Sequence, residues 1–187
     1  MDYIIKWLCE EDPFSSFNIM SDTRKFALAN LRMFSDDLDS LMEDEELELQ
    51  ESLFNVILYE LFDASESCVK FEISQIFVNF THISKQLTEK LADSDYIYKL
   101  LQLTYSNCVP LIENVILIIG NVFTDSDDDN CAYLTSNVAV IHRLKEMLIN
   151  CDLEINVNLR NAILYCLKSI VGSTLEERYI IVRFIVI

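Results

Sequence analysis

The sequence predicts an all-α protein built from repeats, and three observations lead to this fold class. Only two glycines and two prolines occur among 187 residues, too few for the many tight turns of a hairpin-rich β fold. Hydrophobic residues make up 51% of the chain, enough to form a core, and they recur at helical spacing. Polar residues also return on the strongly apolar segments at similar intervals, which is typical of a helical solenoid.

Four apolar segments are predicted as buried helices that each keep one polar edge: residues 22–34, 69–83, 111–123 and 158–171. In the third, the stripe of positions Glu113, Leu117, Asn121 and Asp125 recurs every four residues and therefore shares one side of the helix. Shorter amphipathic helices are expected between the buried ones, at residues 85–93, 96–105, 130–136 and 140–148.

The polar edges align with one another at repeat spacing. Asn30, Asn79, Asn121 and Ser169 are separated by 49, 42 and 48 residues. Two short helices and one buried helix per unit make three helices per repeat, the arrangement of armadillo repeats rather than of two-helix repeats. We therefore predict a right-handed armadillo (ARM) superhelix of about three to four repeats, with residues 1–187 as a single solenoid.

Net charge narrows the classes of partner. Fourteen Lys and Arg residues against 31 Asp and Glu give a formal charge of −17, the reverse of what binding to a phosphate backbone requires. Direct nucleic-acid binding is not expected. Such a surface attracts cationic partners, so a basic peptide or protein is the expected ligand, although it could also be merely a solvated acidic surface. No apolar run approaches the length of a membrane span, and no membrane association is expected.

Motifs for catalysis, metals and cofactors are missing from the sequence. Two glycines cannot build a nucleotide-binding loop, and the six cysteines form no CxxC pair. The acidic run at residues 124–129 lacks the glycine and the distal glutamate of a calcium loop. His82 and His142 have no nucleophile at motif spacing. We expect a non-enzymatic protein without metal or cofactor, with reduced cysteines, located in cytoplasm and nucleus.

Three segments resemble the armadillo repeats of importin-α (karyopherin-α), the adaptor for nuclear-localisation signals. VKFEISQIFVNF at residues 69–80 is similar to that family's LQFEAAWALTNI, and ENVILIIGNV at residues 113–122 is similar to EQAVWALGNI. Residues 160–170 resemble RNATWALSNL more loosely, and the resemblance covers roughly residues 10–180. The family's amino-terminal importin-β-binding segment has no counterpart in this sequence.

The resemblance implies a concave peptide-binding groove. In that family each Trp-x-x-x-Asn pair lines the groove, the Asn holding the peptide main chain and the Trp flanking Lys or Arg stems. Asn79, Asn121 and Asp125 match the family's Asn and acidic positions. The remaining groove positions depart from the family: Gln75, Leu117 and Tyr165 stand at Trp sites, and Ser169 stands at an Asn site. A cation over an indole gains about 0.5 to 2 kcal/mol, so the missing Trp residues weaken the expected site.

The function that the sequence predicts is an importin-α-like adaptor that binds basic peptides of the nuclear-localisation type in an Asn-lined groove. The alternative is a general armadillo scaffold for protein–protein interaction unrelated to nuclear import. For Asn121 two roles stay open, a peptide ligand or a structural amide satisfied by a neighbouring helix. The apolar end at residues 179–187 could also mediate association, since a solenoid ordinarily ends in a polar capping helix.

Overall fold

The computed structural model describes residues 47–64, 67–92, 94–125, 138–150 and 156–173. These residues form helices and connecting turns, with no strand among them. In chain order the helices are α1 (Leu47–Asp63), α2 (Ser67–Ile83), α3 (Lys85–Leu91), α4 (Ser94–Leu103), α5 (Val109–Asp125), α6 (Val138–Asn150) and α7 (Val157–Ser173). None of these helices is both long enough and apolar enough to cross a membrane.

The predicted helices agree with the observed ones to within about two residues at most ends. Helices α2, α5 and α7 correspond to the segments predicted at 69–83, 111–123 and 158–171. The expected helices at 22–34 and 130–136 lie outside the described residues. Helix α5 continues two residues beyond the predicted end at residue 123, so Thr124 and Asp125 form its last turn and Asp125 stays on the predicted stripe.

Helix α1 was not predicted from the sequence, although the apolar residues of this segment recur at helical spacing. Phe54, Ile57, Leu58 and Leu61 follow one another at helical intervals and are all buried. Their segment directly follows the acidic residues 43–46, a composition that also occurs in polar loops. Acidic residues are also favoured near a helix N-terminus, because they interact well with the helix dipole.

Helices α1 and α2 belong to one compact unit of the chain. Phe54 and Phe77 meet edge to face with ring centroids 5.2 Å apart, the arrangement that the ring quadrupoles favour. Lys70 Nζ on α2 donates a hydrogen bond to the carbonyl oxygen of Phe62, 3.1 Å away. This bond places a cation at the carboxyl end of α1, where the helix dipole favours it.

Helices α3 to α7 belong to the second unit, and α5 is the helix around which the others pack. It is apolar nearly all round, and Val115, Ile118, Ile119 and Val122 are almost fully buried. Helices α3, α4 and α7 all contact it. Pro110 is tolerated because it lies in the first turn, where the backbone N–H would have no partner within the helix.

Arg143 fastens α6 to the turn that follows α4. Its Nε and Nη2 atoms donate to the hydroxyl and carbonyl oxygens of Thr104, at 3.0 and 2.6 Å. Its guanidinium lies 3.8 Å from the centroid of the Tyr105 ring, and Nη1 bonds Glu146 at 2.8 Å. A planar guanidinium can donate two hydrogen bonds to Thr104 and stack on the Tyr105 ring at the same time, which a lysine cannot do.

Candidate functional site

Helix α7 packs beside the predicted polar stripe of α5. Contacts join Glu113 to Leu159, Asn121 to Tyr165, and Thr124 to Ser169. The two members of each pair are separated by nearly the same number of residues in the sequence, so α5 and α7 run parallel. We call this line of polar contacts the α5–α7 seam.

Gly120 allows α7 to approach α5 closely. A Cβ atom at this position would lie 2.7 Å from Cε1 of Tyr165 and 3.2 Å from the Cα atom of Cys166. Glycine within a helix costs roughly 1 kcal/mol relative to alanine, so a packing reason is expected for it. Here the reason is the tyrosine ring and backbone of α7, which occupy the space of a side chain.

Asn121 and Tyr165 form the central contact of the seam. The Tyr165 hydroxyl donates a hydrogen bond to Asn121 Oδ1 at 2.7 Å. Asn121 is only 7% exposed, whereas Tyr165 is 36% exposed. Tyr165 is therefore the partner on a neighbouring helix that a structural role of Asn121 requires. Its role as a peptide ligand stays a prediction.

Four residues form an accessible edge around this contact, together with Tyr165. Thr124 is exposed, while Leu117, Asp125 and Ser169 are half-buried. The hydroxyl oxygens of Thr124 and Ser169 lie 2.8 Å apart, and the Thr124 hydroxyl is also 3.0 Å from the carbonyl oxygen of Gly120. We call these five residues the seam rim. Four of them were predicted as site residues, and Thr124 was not.

Glu113 stands at the other end of the stripe and caps α7. Its carboxylate accepts a hydrogen bond from the backbone N–H of Leu159, in the first turn of α7. That N–H has no partner within its own helix, and the helix dipole favours an anion there. Burial raises the pKa of Glu113, and the hydrogen bond from Leu159 lowers it, with burial the larger effect.

The other two predicted site residues lie on α2, in the first unit. Gln75 and Asn79 are one helical turn apart and both are half-buried. Their spacing on one side of α2 agrees with the predicted polar edge. Their use in peptide binding stays a prediction.

The described residues contain no cluster of His, Cys, Asp and Glu that could hold a metal ion. Among the cysteines, Cys166 is fully buried on α7, and burial raises the pKa of its thiol far above the usual range. Such a thiol is a poor nucleophile, because the reactive species is the thiolate.

Comparison with solved structures shows the fold. A designed armadillo repeat protein in complex with peptide (KR)4 superposes with a TM-score of 0.72 at 16% identity, over 97% of this chain and 69% of that one. A second designed armadillo repeat protein gives a TM-score of 0.70 at 15% identity, over 97% of this chain and 69% of that one. An engineered protein from a structural genomics consortium gives 0.74 at 16% identity, over 98% and 67%.

The fold is therefore the all-α armadillo fold that the repeat spacing predicts. No protein-family model matches the sequence, and a search of curated proteins finds no similar sequence. The likeness to importin-α thus stays a resemblance in sequence motifs, while the armadillo architecture stands on the structural similarity.

Proposed function

We propose that this chain is a non-enzymatic armadillo scaffold that binds a peptide or an extended protein segment. The observation that carries the proposal is the α5–α7 seam, where two parallel helices present a polar rim beside a tyrosine ring. A structurally similar designed armadillo repeat protein is in complex with a peptide, which supports this class of ligand.

The rim suits an extended peptide better than a small molecule. Thr124, Asp125 and Ser169 place hydroxyl and carboxylate groups along one edge, where they can pair with the regularly spaced polar groups of a peptide main chain. Leu117 and Tyr165 add apolar surface one to two helical turns nearer the amino ends of α5 and α7. Asn121 lies below Tyr165, so a ligand would meet the tyrosine before it could reach the amide.

A basic ligand is the finer part of the proposal, and Asp125 favours it. This carboxylate lies in the last turn of α5, where the unpaired helix carbonyls already carry partial negative charge and where no basic residue is present. A Lys or Arg of the ligand would interact favourably with both. The net charge of −17 adds a long-range attraction of the same sign.

The test is a titration of the whole chain with the peptide (KR)4, compared with a Glu-rich peptide of equal length. We expect binding of the basic peptide only. Asp125→Asn should weaken it by roughly 1 to 3 kcal/mol, the range for a hydrogen bond to a charged group. The matched control Asp95→Asn changes an exposed aspartate in the first turn of α4 and should leave affinity unchanged.

Indifference to (KR)4, or equal losses in the two variants, would overturn the basic-ligand part. The general scaffold would then be the better reading, and the importin-α-like adaptor would be excluded. Residence in cytoplasm and nucleus is part of the same proposal.

A further inference from the structure

One side of α7 exposes a line of four residues in which apolar and polar side chains alternate. Val157, Asn161, Leu164 and Lys168 follow at intervals of four, three and four residues, so they share one side of the helix. Val157 is 44% exposed and Leu164 is 50% exposed, and the two polar members are exposed as well. We call these four residues the α7 stripe. It extends roughly 16 Å along the helix.

The equivalent stripe on α5 is covered by a helix. The repeat interval that relates Asn121 to Ser169 relates the α7 stripe to Val109, Glu113, Ile116 and Gly120. Glu113 and Gly120 both contact α7, and Ile116 is fully buried. Ile116 and Leu164 therefore occupy equivalent positions with opposite exposure. The α7 stripe has the form of a helix-stacking surface.

The charge of α7 indicates which kind of helix fits. Residues 157–173 contain Arg160 and Lys168 and no acidic residue, in a chain whose net charge is −17. Lys168 also stands at the position equivalent to Gly120, where a neighbour would otherwise come closest. A carboxylate from the partner would pair favourably with an ammonium at that point. Two copies of α7 packed on each other would instead bring like charges together.

We propose that the α7 stripe docks an amphipathic helix of a partner protein whose polar edge is acidic. The partner's apolar residues cover Val157 and Leu164, and its carboxylates pair with Lys168 and Arg160. This surface adjoins the seam rim but shares none of its residues, and the proposal does not depend on the peptide-binding function proposed above.

A pair of synthetic peptides tests the proposal, because α7 itself shows what packs against such a stripe. Both have the sequence of residues 157–173 with Cys166→Ala; one also carries Tyr165→Gln and the other, the acidic peptide, carries Tyr165→Glu, because Tyr165 is the α7 residue that lies over Gly120, the position equivalent to Lys168. The labelled peptides are titrated against the whole chain by fluorescence anisotropy. We expect the acidic peptide to bind roughly two- to fivefold more tightly than the Gln peptide, since its carboxylate pairs with Lys168.

Variants of the protein identify the surface. Leu164→Asp should abolish binding of the acidic peptide, and Lys168→Glu should reverse the preference between the two peptides. The control Lys99→Glu, an exposed lysine on α4, should keep the original preference. Leu164 and Lys168 are exposed, so both variants should keep the unfolding midpoint of the parent chain.

Equal affinity for both peptides, no binding, or binding that survives Leu164→Asp would overturn the proposal. Labelling of a Leu164→Cys variant gives an independent result. A thiol at position 164 that is protected in the isolated chain would show that the chain covers its own stripe, which also contradicts a partner helix. Asp125→Asn should change none of these results, which separates this surface from the seam rim.

Discussion

The hydrogen bond between Tyr165 and Asn121 places two predicted site residues in direct contact. Each was expected to face a peptide, as separate members of a groove. Their bond joins α5 to α7 and leaves the amide 7% exposed. Asn121 thus has a structural role that its position in the sequence left open. The strength of its bond to Tyr165 can be measured as a coupling energy between the two side chains.

We expect Tyr165→Phe and Asn121→Ala each to lower the free energy of unfolding by about 1 kcal/mol, with larger loss for any buried group left unpaired. The double variant should lose less than the sum of the two, by roughly 0.5 to 1.5 kcal/mol, because the shared bond is removed only once. Urea unfolding of the four proteins measures this.

Strict additivity would mean that the bond contributes nothing to stability. A large loss of (KR)4 affinity in Asn121→Ala that Tyr165→Phe does not share would assign the amide to the ligand instead. Tyr165→Phe is the sharper variant, since it keeps the ring over Gly120 and removes only the hydroxyl.

The helix pair α5 and α7 is held at both ends of the seam by different chemistry. At the carboxyl end of α5, Thr124 and Ser169 bring neutral hydroxyl groups together. At the amino end of α7, Glu113 offers a charge to a backbone N–H. Only the second contact depends on protonation, so the stability of this helix pair should vary with pH.

The pKa of Glu113 is raised in the folded protein, so the folded state binds its proton more tightly than the unfolded chain does. Stability from this group is therefore fully present below the ordinary carboxyl pKa and is lost as pH rises through the raised value. In Glu113→Gln this loss should disappear. Relative to the parent chain, the variant should gain stability across that window, by less than about 1 kcal/mol.

Chemical unfolding of parent and variant at a series of pH values provides the measurement. Glu89→Gln is the control, because it removes one carboxylate from an exposed site on α3, where its ion pair with Lys85 is screened by solvent and contributes little. The prediction would be contradicted if Glu113→Gln became less stable relative to the parent as pH rises. The hydrogen bond from Leu159 would then outweigh the effect of burial on the carboxylate.

At the scale of the whole molecule, net charge is the property that we expect to act on a ligand at a distance. With a formal charge of −17, the protein attracts cations, and the salt concentration sets the distance over which this attraction acts. The Debye length falls from about 30 Å at 0.01 M to about 10 Å at 0.1 M salt.

We therefore expect the association rate of (KR)4 to fall at least about tenfold between these two salt concentrations, in stopped-flow fluorescence with the whole chain. An uncharged Gly/Ser peptide of equal length should show no such dependence. Binding of (KR)4 that is independent of salt would contradict electrostatic steering and, with it, the role assigned to the acidic surface.

By itself, the sequence was sufficient for the fold class, for the positions of α2, α5 and α7 along the chain, and for the polar edge that each of these helices carries. These follow from helical periodicity and repeat spacing, which are patterns along the chain and do not depend on which side chains meet between helices. The importance of Gly120 could also have been noticed, because a glycine inside an apolar helix needs a packing reason.

Only the tertiary structure decided which polar groups meet. The sequence aligns Asn121 with Ser169, whereas the amide contacts Tyr165 and the serine contacts Thr124. The capping of α7 by Glu113 and the anchoring of α6 by Arg143 likewise join residues on different helices. Such pairs depend on how far one helix shifts along its neighbour, and that shift is set by packing at Gly120 and the surrounding core, which periodicity does not encode.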